Sequence, residues 1–160
     1  DDMFEDSEYV KPAEAFREAG HEVVHIGLEA GKIVHGKKEK TPVKIDRALA
    51  EVSTADFDAL LIPGGYSPDK LRVDEVAVQF AADFMRSSKP VFSICHGPQL
   101  LITADVLRGK TLTGYKSIKQ DIINAGAEFV DKPVVEDDNL VSSRNPADLP
   151  QFITASLAHL

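Results

Sequence analysis

Val91-Phe92-Ser93-Ile94-Cys95-His96-Gly97-Pro98-Gln99 is an apolar run that ends abruptly on cysteine, histidine and glycine. Pro90 precedes it, and helical spacing resumes at once through Leu100, Leu101 and Ala104. A short buried strand followed directly by a helix leaves one residue at the apex of the turn, and here that residue is Cys95. Such a turn lifts a side chain out of a sheet and sets it beside the free N–H groups of a helix start, which favour an anion. Cys95 is also the only cysteine of the chain. A lone buried cysteine is ordinarily a small hydrophobe. The adjacent His96, the following Gly97 and the strand-to-helix position argue instead for an activated thiol.

Working outward, the chain alternates strand and helix patterns. Lys11 to Ala19 has helical spacing, with Pro12 in a first turn and Gly20 as a stop. His21 to Leu28 reads as a strand, and Lys32 to His35 with Pro42 to Asp46 as a hairpin. Asp58 to Pro63 is a buried parallel strand closed by Gly64-Gly65. Asp74 caps a helix that carries Val76, Phe80, Phe84 and Met85. Beyond the cysteine, the pattern predicts a strand at Thr111 to Thr113, a helix from Ser117 to Ala125 and a strand at Ala127 to Val130. A second hairpin (Val134-Val135 with Leu140-Val141) and a C-terminal helix opened by Pro146 and Ala147 complete it. The alternation predicts one α/β domain over 1–160, with a mainly parallel sheet and helices on both faces.

Composition narrows the partners. The 160 residues carry a formal net charge of -8, with 43% hydrophobic and 28% charged residues. An acidic chain lacks the basic face that phosphate neutralisation needs, so nucleic acid is not an expected partner. Lys37-Lys38-Glu39-Lys40 reads as the solvated tip of the first hairpin. No apolar stretch approaches the roughly 20 residues that span a bilayer, and no signal peptide is visible. A single cysteine fits a reducing cytoplasm. Glycine patterns for dinucleotides or nucleoside triphosphates are absent, and no cofactor is expected.

His21-Glu22-Val23-Val24-His25 matches the zinc-protease pattern H-E-x-x-H. That pattern binds metal only on a helix, where the two histidines lie one turn apart. On a strand they stand roughly 13 Å apart, so no metal is expected.

Two further features fall at the same edge of the sheet as Cys95. Gly64-Gly65 closes a strand at its carboxyl end, where open parallel sheets bind ligands. A glycine there lets backbone approach a substrate and offers an N–H to an oxyanion. Phe4-Glu5-Asp6 precedes the first helix, and Glu5 is either a helix-start acid or a carboxylate that bonds the thiol and tunes it.

These strings, with Asn124-Ala125-Gly126 and Ser142-Ser143-Arg144-Asn145-Pro146-Ala147-Asp148-Leu149, resemble the PfpI family of the wider DJ/PfpI superfamily over essentially the whole chain. That superfamily comprises bacterial general stress proteins, intracellular proteases and deglycases. The resemblance implies a flavodoxin-like three-layer sandwich with a nucleophile elbow, assembled as a homodimer or a hexamer of dimers. It implies Cys95 as nucleophile held by Glu5, and His96 as second catalytic residue. The amides of Gly65 and, less specifically, Gly64 would join that of His96 in an oxyanion site, and Tyr115 would stand near the pocket. Asp69, reaching from a neighbouring subunit, is the position that would orient His96, with a shorter reach than the family's glutamate. Glutamine amidotransferases share the fold but need a downstream histidine and glutamate, and only His159 follows His96 here. The family also has an apolar strand ahead of the Phe-Glu-Asp turn, so about 7–10 further residues are expected before Asp1.

The implied activity is a cysteine-dependent hydrolase acting on dicarbonyls such as methylglyoxal, or on their adducts with protein amines and thiols. Intracellular peptide hydrolysis is the alternative. A redox-sensing or chaperone-like stress protein is the other.

Overall fold

The computed structural model describes residues 1–160. The chain opens with helix α1 (Asp6–Glu18), then strand β1 (Ile26–Gly27), the hairpin β2 (Ile33–His35) and β3 (Pro42–Lys44), and β4 (Arg47–Ala48). The central segment follows as β5 (Leu60–Ile62), α2 (Ser67–Leu71), α3 (Glu75–Arg86), β6 (Val91–Ile94) and α4 (Pro98–Thr103). The last third holds β7 (Thr111–Leu112), α5 (Lys119–Asn124), β8 (Glu128–Phe129), β9 (Val134–Asp137), β10 (Leu140–Ser143) and α6 (Leu149–Leu157).

The central sheet has the order β5-β6-β10-β9. β6 runs parallel to both β5 and β10, and β9 returns antiparallel as the hairpin partner of β10. All four residues of β6 are buried, as a strand covered on both faces requires. Alternation along the strands assigns the faces. Val91 and Leu140 join Phe80, Phe84, Leu101 and Ile122 under α3, α4 and α5. Phe92, Ile94 and Val141 join Phe16, Leu149 and Phe152 under α1 and α6. The result is the three-layer α/β sandwich that the sequence pattern predicts, with Cys95 at the carboxyl end of its central strand.

Local chemistry sets several boundaries. Asp74 Oδ1 accepts from the N–H groups of Val76 and Ala77, a cap worth about 1 kcal/mol to α3. Helix α1 starts at Asp6, a full turn earlier than its spacing predicts, so Pro12 lies inside it. Pro12 has no N–H to give to the Glu8 carbonyl one turn back. Burial of Glu8, Pro12 and Phe16 along one stripe holds the helix together across that gap. The strand expected from His21 to Leu28 is laddered only at Ile26 and Gly27, against Arg47 and Ala48. Helix α2 has no counterpart in the sequence reading.

β1 and β5 each keep one unpaired edge. Between them runs an apolar groove of about 380 Å³, bordered by Val23, Ile26, Leu61, Phe16 and Phe92.

Candidate active site

Cys95 follows β6 directly and has φ +61°, the left-handed region that a β-carbon disfavours. The strain is held in place from three sides. Cys95 N–H donates to the Ser143 carbonyl (3.0 Å), its carbonyl accepts from Tyr115 N–H (2.8 Å), and Gly97 N–H closes the turn on Ile94 O (2.8 Å). This is a nucleophile elbow in geometry, with the residue 8% exposed.

The carboxyl beside the thiol belongs to Glu8. Its side chain projects from α1, is fully buried, and Oε2 accepts from Gly64 N–H at 2.7 Å. Cys95 stands beside the same carboxyl, whose charge the thiol feels, while Glu8 Oε1 is buried without a hydrogen-bond partner. A β-carbon on Gly64 would fall 2.5 Å from Glu8 Oε2, 2.9 Å from Cys95 Cβ and 3.0 Å from His96 N. Only glycine fits between these three groups.

Glu5 therefore does not hold the thiol. It points the other way, with Oε2 at 2.9 Å from Lys37 Nζ and Oε1 at 3.4 Å from Lys38 Nζ. The reason is geometric: α1 begins at Asp6, so Glu5 sits outside the helix while Glu8 lies on its buried stripe. Gly64 is corrected in the same way, because its N–H is taken up by Glu8 and is not free for an oxyanion. The Gly65 and His96 N–H groups donate to no backbone carbonyl.

Two carboxyl and thiol protons compete in this small space. Burial first, then the charge of Glu5, pushes the Glu8 carboxyl up to about 8, against the pull of the Gly64 N–H. Burial, followed by the charge and hydrogen bond of Glu8, pushes the Cys95 thiol up, and the His96 N–H and Lys37 only partly oppose this. The thiol is thus not the resting thiolate that the helix start alone would favour.

His96 supplies a base. Its Nδ1 is 3.4 Å from Cys95 Sγ and its Nε2 is 3.3 Å from Ser117 Oγ. Tyr115 packs its ring against the imidazole, with centroids 5.0 Å apart at 32°. Burial and the charge of Lys37 lower the His96 pKa, so the ring is neutral near pH 7. Asp69, on α2, forms an ion pair with Arg72 and makes no hydrogen bond to His96 within the chain, although its charge opposes the lowering.

Lys37 is the other residue that the sequence reading did not place here. The hairpin tip is exposed at Lys38, Glu39 and Lys40, as expected, but its backbone is also pinned: buried Asp6 accepts from the N–H groups of Lys38 (3.0 Å), Glu39 (3.3 Å) and Thr41 (3.1 Å). Gly36 makes this possible, since a β-carbon there would overlap Asp6 Oδ1. Lys37 Nζ, bonded to Glu5, also lies 5.5 Å from the centre of the Tyr66 ring.

The two histidines of the H-E-x-x-H string lie elsewhere. His25 is engaged on both nitrogens, by Tyr9 Oη at 2.8 Å and Asp46 Oδ2 at 3.0 Å. No group of three metal-ligating side chains occurs in the chain.

Comparison with known proteins agrees with this architecture. The chain is 60% identical to protein/nucleic acid deglycase 2 of Escherichia coli over 152 residues, which is 94% of this chain and 88% of that protein. It is 57% identical to general stress protein 18 of Bacillus subtilis (98% and 92% covered) and 47% identical to deglycase PfpI of Pyrococcus furiosus (91% and 87%). Among solved structures, it superposes on Drosophila melanogaster DJ-1beta with a TM-score of 0.88 at 28% identity, covering 99% of this chain and 86% of that one. A two-domain protein of Anabaena variabilis, with DJ-1/ThiJ/PfpI-like and ferritin-like domains, gives a TM-score of 0.96 at 40% identity. This chain spans 99% of itself and 45% of that protein. The model of the DJ-1/PfpI family matches residues 1–159, and the chain belongs to that family.

Proposed function

We propose that the protein is a cysteine-dependent deglycase of the PfpI type, acting on methylglyoxal-like dicarbonyls or on the adducts they leave on amines and thiols. The observation that carries this reading is the strained Cys95 elbow with a neutral imidazole nitrogen 3.4 Å from its sulfur and a buried carboxyl beside it. The deglycase names of the E. coli and P. furiosus relatives support the substrate class.

The chemistry follows from the proton positions. As Cys95 Sγ bonds to the aldehyde carbon, its proton passes to His96 Nδ1. The Gly65 and His96 N–H groups stabilise the oxygen that gains charge. With an amine adduct, the imidazolium returns its proton to the departing nitrogen. The resulting thiohemiacetal of methylglyoxal isomerises when a proton leaves the carbon bonded to sulfur and another arrives at the neighbouring carbon. Glu8, protonated below about 8, is placed to exchange these protons. One carbon is oxidised and its neighbour reduced, so no external oxidant is needed. Water then cleaves the lactoyl thioester, giving lactate and free thiol.

Proteolysis would require protonation of a poorer leaving group, and Asp69, the position that would orient His96 from a neighbouring subunit, has a shorter reach than a glutamate. The test is a side-by-side assay of wild type and Cys95→Ala on methylglyoxal, a glycated peptide and casein. Loss of the first two activities in the variant is expected. Their retention refutes the reading, and casein cleavage at a comparable rate favours a peptidase.

Assembly as a homodimer, or a hexamer of dimers, and a cytoplasmic location belong to the same proposal. No helix is long and apolar enough to cross a membrane.

A further inference from the structure

The chain has a net charge of -8, yet two lysines face one ionised carboxylate at the rim of the Cys95 site. Glu5 Oε2 lies 2.9 Å from Lys37 Nζ, and Oε1 lies 3.4 Å from Lys38 Nζ. Each ammonium carries three N–H donors, so donors are left over when both share one carboxylate. Glu8 keeps its proton below about 8 and adds no charge. Asp6 is ionised, but three backbone N–H groups take up its charge. Asp69 is paired with Arg72. The Lys37 side chain is 27% exposed, so water and salt screen it less than a free surface charge. Its field reaches Cys95, Glu8 and His96.

The backbone delivers these groups to one place. Phe4 bridges Gly36 in parallel and Gly65 in antiparallel register, which sets the hairpin tip, the start of α1 and the oxyanion glycine side by side. Lys37, Glu5 and Tyr66 each follow one of these three residues. Lys37 N–H donates to the Phe4 carbonyl at 2.9 Å, Glu5 N–H to the Gly64 carbonyl at 3.2 Å and Tyr66 N–H to the Met3 carbonyl at 2.8 Å. Lys37 Nζ then stands 5.5 Å from the centre of the exposed Tyr66 ring. The bonds to Phe4 and Asp6 already fasten the tip by its backbone, so neither ammonium group is needed for that.

We infer that Lys37 and Lys38 form an anion-selecting rim, so that the site prefers α-oxo aldehydes, or adducts of them, that carry a carboxylate a few bonds from the reacting carbonyl. This rests on the proposed role of Cys95 and names the substrate class within it. With the carbonyl carbon at Cys95 Sγ and its oxygen at the Gly65 and His96 N–H groups, the rest of the substrate leads past Gly65 toward Lys37. A cleft with an excess of one sign of charge raises the local concentration of a ligand of the other sign. Lys37, the less exposed of the two, contributes most of the discrimination, and Lys38 adds attraction from its exposed position.

Iodoacetate and iodoacetamide have nearly the same shape and differ by one charge, so the ratio of their alkylation rates at Cys95 reads this field without turnover. The test uses the whole protein in its native assembly, so that any carboxylate a neighbouring subunit brings to His96 is present throughout. Relative to the neutral thiol mercaptoethanol at low salt, the wild-type ratio should be higher by about 3- to 5-fold, the range of a partly exposed charge pair. It should fall toward the mercaptoethanol value in Lys37→Met and in about 0.5 M sodium chloride, and Lys37→Arg should keep it. Any effect of Lys37 on the thiol itself acts on both reagents alike and cancels in the ratio. Turnover gives the second measurement. The kcat/KM for 4,5-dioxopentanoate should exceed that for its methyl ester by a similar factor, and Lys37→Met should remove the preference mainly by raising KM for the acid. A wild-type alkylation ratio no higher than that of mercaptoethanol, or one unchanged in Lys37→Met, overturns the inference. Failure of the deglycase reading shows separately, as turnover that survives Cys95→Ala.

Discussion

Replacing Glu8 by glutamine isolates the buried carboxyl on which the site is built. The side-chain amide would keep an oxygen for the Gly64 N–H, now 2.7 Å from Glu8 Oε2, and would keep the volume. It would remove only the titration. In the folded protein the carboxyl is held up to about 8, against an ordinary value of 4.5. A group with a raised folded pKa favours folding fully below its unfolded pKa and loses that advantage as pH rises to its folded pKa. Each pH unit in that window is worth about 1.4 kcal/mol, so the whole of it approaches about 5 kcal/mol. That is a large part of the roughly 5–15 kcal/mol that stabilises a domain. Other groups titrate in the same range. His96 is lowered by burial and the amino terminus is lowered by burial to about 6, and both gain stability with rising pH. They are common to both proteins and cancel in the difference. The thiol enters only above its ordinary value of 9.0. Urea unfolding of wild type and Glu8→Gln at several pH values from 4.5 to 8.5 should therefore show the variant gaining steadily on the wild type. A difference that stays flat across that range would refute the claim that Glu8 is buried with its proton.

Two other perturbations probe the frame around the site. Asp6 is held at about 2: burial works against its charge, but the backbone N–H groups of Lys38, Thr41 and Glu39 outweigh it. The stability this confers is present above its ordinary 3.8 and is lost as pH falls to about 2, which amounts to about 2 kcal/mol. Asp6→Asn should lose about that much at pH 7 and flatten the acid limb, as read by thermal unfolding at pH 7 and pH 3. Lys37→Met should slow alkylation of Cys95 by iodoacetamide at neutral pH by up to about 5-fold, the range of a partly exposed charge pair. The sign follows because the Lys37 charge lowers the thiol pKa, opposing burial and Glu8. An unchanged alkylation rate would show that Lys37 only fastens the hairpin to Glu5.

The fold was legible where one physical rule acted alone. The buried run Val91–Ile94, the Asp74 cap and the two hairpins each announce themselves through burial, capping or alternation, and each is found within a residue or two. It was less legible where rules conflict. Pro12 reads as a helix start by its own chemistry, but burial of Ala13 and Phe16 with the turn before it carries α1 back to Asp6. The β-branched His21–Leu28 stretch reads as a strand, yet only Ile26 and Gly27 find a laddered neighbour. Strand propensity describes fit to a sheet surface and does not supply the partner.

The site shows the same division. Cys95 and His96 were legible because an elbow is a local event, written in a strand end and a glycine. Glu8 was missed because its role depends on helix register. The signal was present in the spacing of Glu8, Pro12 and Phe16, four residues apart, which continues an apolar stripe one turn back onto an acid. A carboxylate on a buried stripe must find hydrogen-bond donors or keep its proton, and Glu8 does both, with the Gly64 N–H and a pKa near 8. Glu5 carries the same side chain three residues earlier, outside the helix, and meets two lysines instead. The difference between a protonated carboxyl beside the thiol and an ordinary ion pair is thus set by where α1 begins. Lys37 and Ser117 could not be found by spacing at all. One arrives on a hairpin pinned by Asp6 and the other on a turn bonded to the Cys95 carbonyl, and both contacts join segments far apart in the chain.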